Sequence, residues 1–279
     1  MTRAHVALLL VGLAAGAAGC EDSIPGSVLA GPRVIAVIAD PPVIAPDMTA
    51  AISVVVAIDG TPVPPAATRW RVCAPSAVIV DPVRDCVGDR ALVLPTGGDG
   101  GTGLDAAAVL AWSGVVLPDA GDDPCGRAIL PVVVVVEAEL AGARLVATKQ
   151  VWIGLAPPPR SNPQIADVVV DGVAVIDPVV ARGASLEATA VLALAALDRV
   201  CGDIDDPVEL ESVQVSVFVG GGGTVSPGTF GVDHAADGVP TAGSVEIVAP
   251  DEPGAFPLWM IAVDPDGGVG VAHRRLTVD

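Results

Sequence analysis

The sequence predicts an all-β fold arranged as two tandem β-sandwiches, and three observations carry that prediction. Short apolar runs rich in β-branched residues recur along the chain, most plainly the unbroken run Val132–Val136. The 26 prolines and 32 glycines fall between those runs instead of collecting into tracts, the distribution expected of many strands separated by turns. An opening pattern of extended run and Asp-Gly turn returns about 130 residues later, beyond a proline-rich stretch at 155–163.

Composition limits the function classes. At 279 residues and 52% hydrophobic the chain is long and apolar enough to bury a sizeable core. Its 33 acidic residues outweigh 14 basic ones, for a net charge of −19. Neutralising phosphates needs clustered cations, so nucleic-acid binding is excluded from the expected functions. The acidity is read as a device that keeps an apolar-rich chain soluble. Thirteen of the basic residues are Arg and one is Lys, Lys149, a bias of high-GC coding rather than of an arginine site.

In chain order, the first element is a leader. Arg3 precedes an apolar stretch from Val6 to about Ala15, and small residues then lead into Cys20, the tripartite form of a secretory signal peptide over 1–19. The apolar run is shorter than the ~20 residues that span a bilayer. Its end, Ala17-Ala18-Gly19-Cys20, resembles the bacterial lipobox, with Ala17 where leucine is more usual. That resemblance implies cleavage before Cys20 and lipidation of its thiol and new amine, because only a thiol makes the thioether. Ala17, Ala18 and Gly19 would be the peptidase recognition residues. Residues 20–31, small and polar, read as a lipidated tether.

The first domain is expected over 32–154. Pro32–Ala39 is an extended run stopped by Asp40-Pro41-Pro42, and Thr49–Ile58 is a second strand closed by the Asp59-Gly60 turn. Thr68–Cys73, around Trp70, and Arg90–Leu94 are further strands, with a glycine-rich loop at Thr96–Gly103. Ala106–Leu117 is ambiguous, since its alanines favour helix and its valines strand. Ala128–Ile153 reads as a hairpin about Ala141-Gly142, because consecutive valines suit a buried strand. The prolines of 155–163 form a stiff, extended linker.

The second domain is expected over 164–279. Pro163–Gly172 gives a strand and turn, and Gly183–Ala195 mirrors Thr49–Ile58 as a strand despite its helix-favouring alanines and leucines. Val213, Val215, Val217 and Val219 alternate along one face of the next strand. Ser244–Ala249, Ala255–Val263 and Val269–Val278 complete the set. Pro253-Gly254, Trp259 within Leu258–Val263, the Asp264-Pro-Asp-Gly-Gly turn and a final strand resemble the closing stretch of Ig-like and PKD-like extracellular modules. The resemblance covers roughly the last 30 residues and the domain starts loosely, and it implies two tandem Ig-like sandwiches behind a lipoprotein signal peptide. The Cys…Trp…Cys spacing of antibody-type domains is missing.

Beyond Cys20 an even set of cysteines remains: Cys73, Cys86, Cys125 and Cys201. Outside the cytoplasm that favours two disulfides. Cys73–Cys86 is the first choice, being close in sequence across turn-prone chain, and Cys125–Cys201 follows by elimination. His234, in a Gly/Asp-rich loop, and His273, before Arg274-Arg275, stand without a nucleophile elbow and read as solvent-facing. Gly220–Gly223 runs into Pro227 instead of a helix, so it reads as a flexible inter-strand loop and not a phosphate cradle. The acidic groups Asp203, Asp205, Asp206 and Asp264, Asp266 are candidate calcium ligands, because calcium takes six to eight oxygens; a solvated face is the plainer alternative. No other cofactor is expected.

These readings converge on a non-catalytic envelope lipoprotein acting as an interaction or structural module. Its membrane contact would be the lipid anchor, on the outer membrane in preference to the inner, facing the periplasm or the cell surface. Its partner would be an envelope protein or a surface polysaccharide. The alternative is an accessory β-domain subunit of an envelope enzyme or secretion assembly.

Overall fold

The computed structural model describes residues 29–75, 80–117, 129–154, 160–193, 199–200, 209–210, 212–234 and 240–279. The leader, Cys20, Cys125, Cys201, Asp203, Asp205 and Asp206 lie outside them.

The described chain is all-β, in four principal sheets. The first half holds β1 (Pro32–Asp40), β2 (Val43–Ile44), β3 (Thr49–Ile58), β4 (Thr61–Pro62), β5 (Ala67–Cys73), β6 (Ala91–Leu94), β7 (Thr102–Asp105), β8 (Ile129–Leu140) and β9 (Ala143–Gly154). Sheet I runs β2-β9-β8-β5-β6, and sheet II runs β1-β3-β4 with β7 also paired to β3. The second half holds β10 (Ile165–Val170), β11 (Val173–Ala174), β12 (Val179–Val180), β13 (Ser185–Leu192) and a two-stranded ribbon, β14 (Arg199–Val200) with β15 (Glu209–Leu210). It continues with β16 (Val213–Val219), β17 (Thr224–Ser226), β18 (Thr229–His234), β19 (Pro240–Ala242), β20 (Val245–Val248), β21 (Gly254–Val263) and β22 (Val269–Val278). Sheet III runs β12-β22-β21-β16-β18-β19, and sheet IV runs β11-β10-β13-β20-β17.

The two halves repeat one topology. The first strand of each pairs antiparallel with the long strand that follows the two-residue strands, β1 with β3 and β10 with β13. After a crossover, a two-residue strand pairs in parallel with the last strand, β2 with β9 and β12 with β22. Both Asp-Gly turns read from the sequence form, at different places in the pattern: Asp59 and Gly60, at φ 50° and 78°, join β3 to β4, and Asp171 and Gly172, at φ 47° and 78°, join β10 to β11.

Each half has its own core. One draws on residues from Val37 to Ile153, around Trp70, Ile52 and Val134. The other draws on residues from Val168 to Val278, and the predicted face of Val213, Val215, Val217 and Val219 is fully inside it. The valine run of β8 is continuous because both of its faces are covered. Val132, Val134 and Val136 point into the core, while Val135 lies under the Cys73–Cys86 segment.

The halves are stacked face to face; of the expected linker, residues 155–159 lie outside the described residues. Ile35, Ala36, Val55 and Ala57 of sheet II pack against Phe218, Trp259, Ile261 and Val271 of sheet III. A register shift in β1 between Val34 and Ala36 makes this possible. The bulge turns Ile35 and Ala36 both outward, to the junction, while Val34 and Val37 face the first core. The layers therefore follow the order I, II, III, IV.

Three local readings are settled by the structure. Of the ambiguous stretch 106–117, Ala106–Ser113 form a helix, α2 (α1 is the short turn Pro82–Asp85), since Asp105 caps its start and Gly114, at φ 66°, closes its end. Residues 185–192 are a strand, because pairing on both sides buries Leu186, Ala188, Ala190 and Leu192 and overrides their helix propensity. The glycine run 220–223 is a close-packed turn, not a flexible loop. A Cβ on Gly221 would collide with the Phe256 ring, and one on Gly220 would lie 2.7 Å from Pro257.

Candidate functional site

The junction has an apolar end and a polar end. At the apolar end Leu29, the first described residue, is buried beside Ala57 and Trp259. Trp259 Nε1 donates to the Gly60 carbonyl at 2.6 Å, and Gly31 N donates to the Asp59 carboxylate at 2.6 Å. Gly60 admits this contact because it has no side chain; a Cβ there would overlap Pro257 and lie 2.9 Å from Leu29.

At the polar end the β21–β22 turn meets the first sandwich. Asp264 accepts from Gly268 N at 2.6 Å, and Arg160 pairs with Asp266 at 3.3 Å. Lys149, the sole lysine, leaves β9 to donate to the Gly267 carbonyl. Burial pushes its ammonium down to about 8, partly offset by the Asp264 charge. Asn162 ties the linker end to both halves, donating to Ala39 O and accepting from Val269 N, each at 2.8 Å.

These contacts describe the surroundings of Asp264 and Asp266, two of the candidate calcium ligands; the others, Asp203, Asp205 and Asp206, lie outside the described residues. Both carboxylates face protein cations, Asp264 the ammonium of Lys149 and Asp266 the guanidinium of Arg160. Among the described residues no group of three or more His, Cys, Asp or Glu side chains could hold one. Cys73 and Cys86 are disulfide-bonded, with Cα atoms 5.0 Å apart. His273 is exposed, as read, and stacks on Trp259 with ring centroids 4.4 Å apart. Burial, with Arg274 and Arg275, lowers its pKa. His234 ends β18, and its side chain lies outside the description.

On the outer face of the first sandwich Glu137 is nearly buried between Arg71 and Arg144, the latter at 2.6 Å. Burial alone would raise this carboxyl, but the two guanidiniums outweigh it and hold the group below its ordinary value.

The feature best suited to contact a partner was not foreseen. Only half of the outward face of sheet II is covered by sheet III. The other half, over Asp40, Thr49, Ala51 and Ser53, with Ile38 at the edge of the junction, floors a groove of about 720 Å³ walled by Pro95–Gly103. A loop with so many glycines would be floppy unless pinned, and the core pins it. Trp70 Nε1, at 2.9 Å, and Thr68 Oγ1, at 2.7 Å, both donate to the Gly100 carbonyl. Gly97 N donates to Gly101 O at 2.8 Å, and Thr102 Oγ1 to Pro95 O at 2.7 Å. Gly101 is required by close approach, since a Cβ would lie 2.8 Å from Ile52 O. The sequence marks the loop by its glycines, but nothing in it announces that buried Trp70 holds one of its carbonyls.

No protein-family model and no curated protein matches the chain. Among solved structures it is similar to the fibronectin(III)-like modules of Clostridium thermocellum CbhA (14% identity, 88% of this chain and 94% of that one, TM-score 0.26). It is also similar to the Yersinia pseudotuberculosis adhesin InvE (11% identity, 86% and 58%, TM-score 0.25). A third match is the periplasmic chaperone SfaE (10% identity, 40% and 55%, TM-score 0.25). The chain spans little over half of the SfaE and InvE structures. At these TM-scores the likenesses carry no argument, and the fold rests on the sheet topology above.

Proposed function

We propose that this protein is a lipid-anchored lipoprotein of a bacterial envelope, on the outer membrane in preference to the inner, whose body is a non-catalytic interaction module. The observation that carries the reading is the leader ending in Ala17-Ala18-Gly19-Cys20, followed within nine residues by Leu29 in the junction. Nine residues reach at most ~30 Å, so the body would stay close to the bilayer. Because Leu29 sits between the halves, an anchor at Cys20 would hold both sandwiches from one point. The groove lies about 20 Å along β3 from Ala57, at about 3.3 Å per residue, and so stands apart from that point. Two domains divided at 155–163, with an envelope protein or surface polysaccharide as partner, complete the proposal. Several acyl chains, at ~0.8 kcal/mol per buried methylene, would make the attachment firm.

Mass spectrometry of the mature N-terminus from membrane fractions tests it. An acylated peptide beginning at Cys20, lost in Cys20→Ser, is expected. An unmodified N-terminus at another residue, on protein in the soluble fraction, would overturn the anchor.

A further inference from the structure

We propose that the groove over the bare half of sheet II binds an extended, basic peptide segment of a partner protein. The inference deepens the interaction-module reading and rests on it, but it does not depend on the anchor. The floor is continuous with a face that already packs another sheet. Val55 and Ala57 of β3 are covered by sheet III, while Ala51 and Ser53 of the same strand face are bare. Those small floor side chains let a backbone approach closely. The floor along β3, Thr49–Ser53, is the length of an extended segment of about five residues. The wall is rigid in advance because the core-held Gly100 carbonyl fixes the loop, so binding need not order it.

Charge decides the kind of segment. Asp40 on one side, with Asn162 Nδ2 at 3.5 Å, and Asp99 on the other, accepting from Gly101 N, are exposed, and among the described residues no Lys or Arg lines the groove. A cationic side chain entering it meets one carboxylate from the floor and one from the wall, whereas an acidic or phosphorylated segment is repelled.

The test uses the full-length protein in detergent micelles and a fluorescein-labelled Lys-Ala repeat decapeptide, read by anisotropy at physiological salt. A Glu-Ala repeat of equal length serves as the control peptide. Saturable binding of the basic peptide alone is expected, weakened at least about fivefold in Asp40→Asn/Asp99→Asn. Asp167→Asn with Glu252→Gln removes the same charge from exposed positions of the second sandwich and should leave affinity unchanged. Ser53→Trp, which fills the floor without altering charge, should weaken binding as much as the groove pair. Equal losses in both charge pairs, or full affinity in Ser53→Trp, would overturn the site. Displacement of the peptide by spermidine at equal charge would overturn the peptide in favour of a small polycation. Loss of lipid from Cys20 changes none of these readouts, so failure of the anchor and failure of the groove are told apart.

Discussion

β3 and β13 hold the same place in their sandwiches, yet they turn different faces outward. β13 presents Ser185, Glu187, Thr189 and Val191, with Glu187 and Val191 exposed to solvent. β3 presents Ala51, Ser53, Val55 and Ala57, and carries no charge anywhere along its length. The difference records what lies beyond each strand. β13 belongs to an outermost layer, whereas β3 is sandwiched between its own core and the second half of the molecule. Topology assigns the inward face of such a strand, but only its outward face says whether the layer is surface or interior.

The matched pair Val55 and Val191 breaks this comparison most sharply. Val55→Asp places a carboxylate against the apolar junction and is expected to cost about 3 kcal/mol in urea denaturation. Val191→Asp, on the solvated face, should stay within ~0.5 kcal/mol. Equal effects would mean that β3 is not an interior layer.

The disulfide is a second asymmetry, since the Cys73–Cys86 segment covers Val135 of sheet I. Cys73→Ser with Cys86→Ser should cost about 3 kcal/mol, the value for closing a short loop. Differential hydrogen exchange should place the loosening in β5, β6 and β8 and leave β21 and β22 unchanged.

Lys149 gives the junction a pH signature. Its ammonium is pushed down to about 8 in the fold, against an ordinary 10.5. Between those values the unfolded chain holds a proton that the folded chain has shed, so stability should rise with pH across that window, by at most ~3 kcal/mol. Lys149→Met should flatten the rise. Denaturation midpoints from pH 7 to 10 check both.

The smallest effect concerns the groove wall. Trp70→Phe keeps the ring in the core but removes the donor to Gly100 O, leaving Thr68 as its partner. The expected cost is ~1 kcal/mol, with faster amide exchange at Gly97 and Gly101.

Much of the fold was legible because strand period and turn chemistry are local. Thr49–Ile58 and Val269–Val278 are strands at the residues read from the sequence, and the turns at Asp59-Gly60 and Asp171-Gly172 follow from residues that tolerate positive φ. Cys73–Cys86 was legible because the pair is close in sequence. What escaped depends on contacts between distant residues. The uncharged outward face of β3 was visible in Ala51, Ser53, Val55 and Ala57, but Trp259, which covers Val55 and Ala57, is some 200 residues away. The β1 bulge that turns Ile35 and Ala36 to the same side has no signature in an unbroken apolar run. Nor does sequence show that Lys149 and Arg160 arrive beside Asp264 and Asp266.

The central claim is that the sandwiches form one body through the contact of sheets II and III. Small-angle X-ray scattering of the purified mature chain tests it most directly. Close stacking predicts a single compact particle with a radius of gyration of about 20 Å, enlarged in Val55→Asp. A two-lobed particle of about 25 Å or more, unchanged by that substitution, would contradict it.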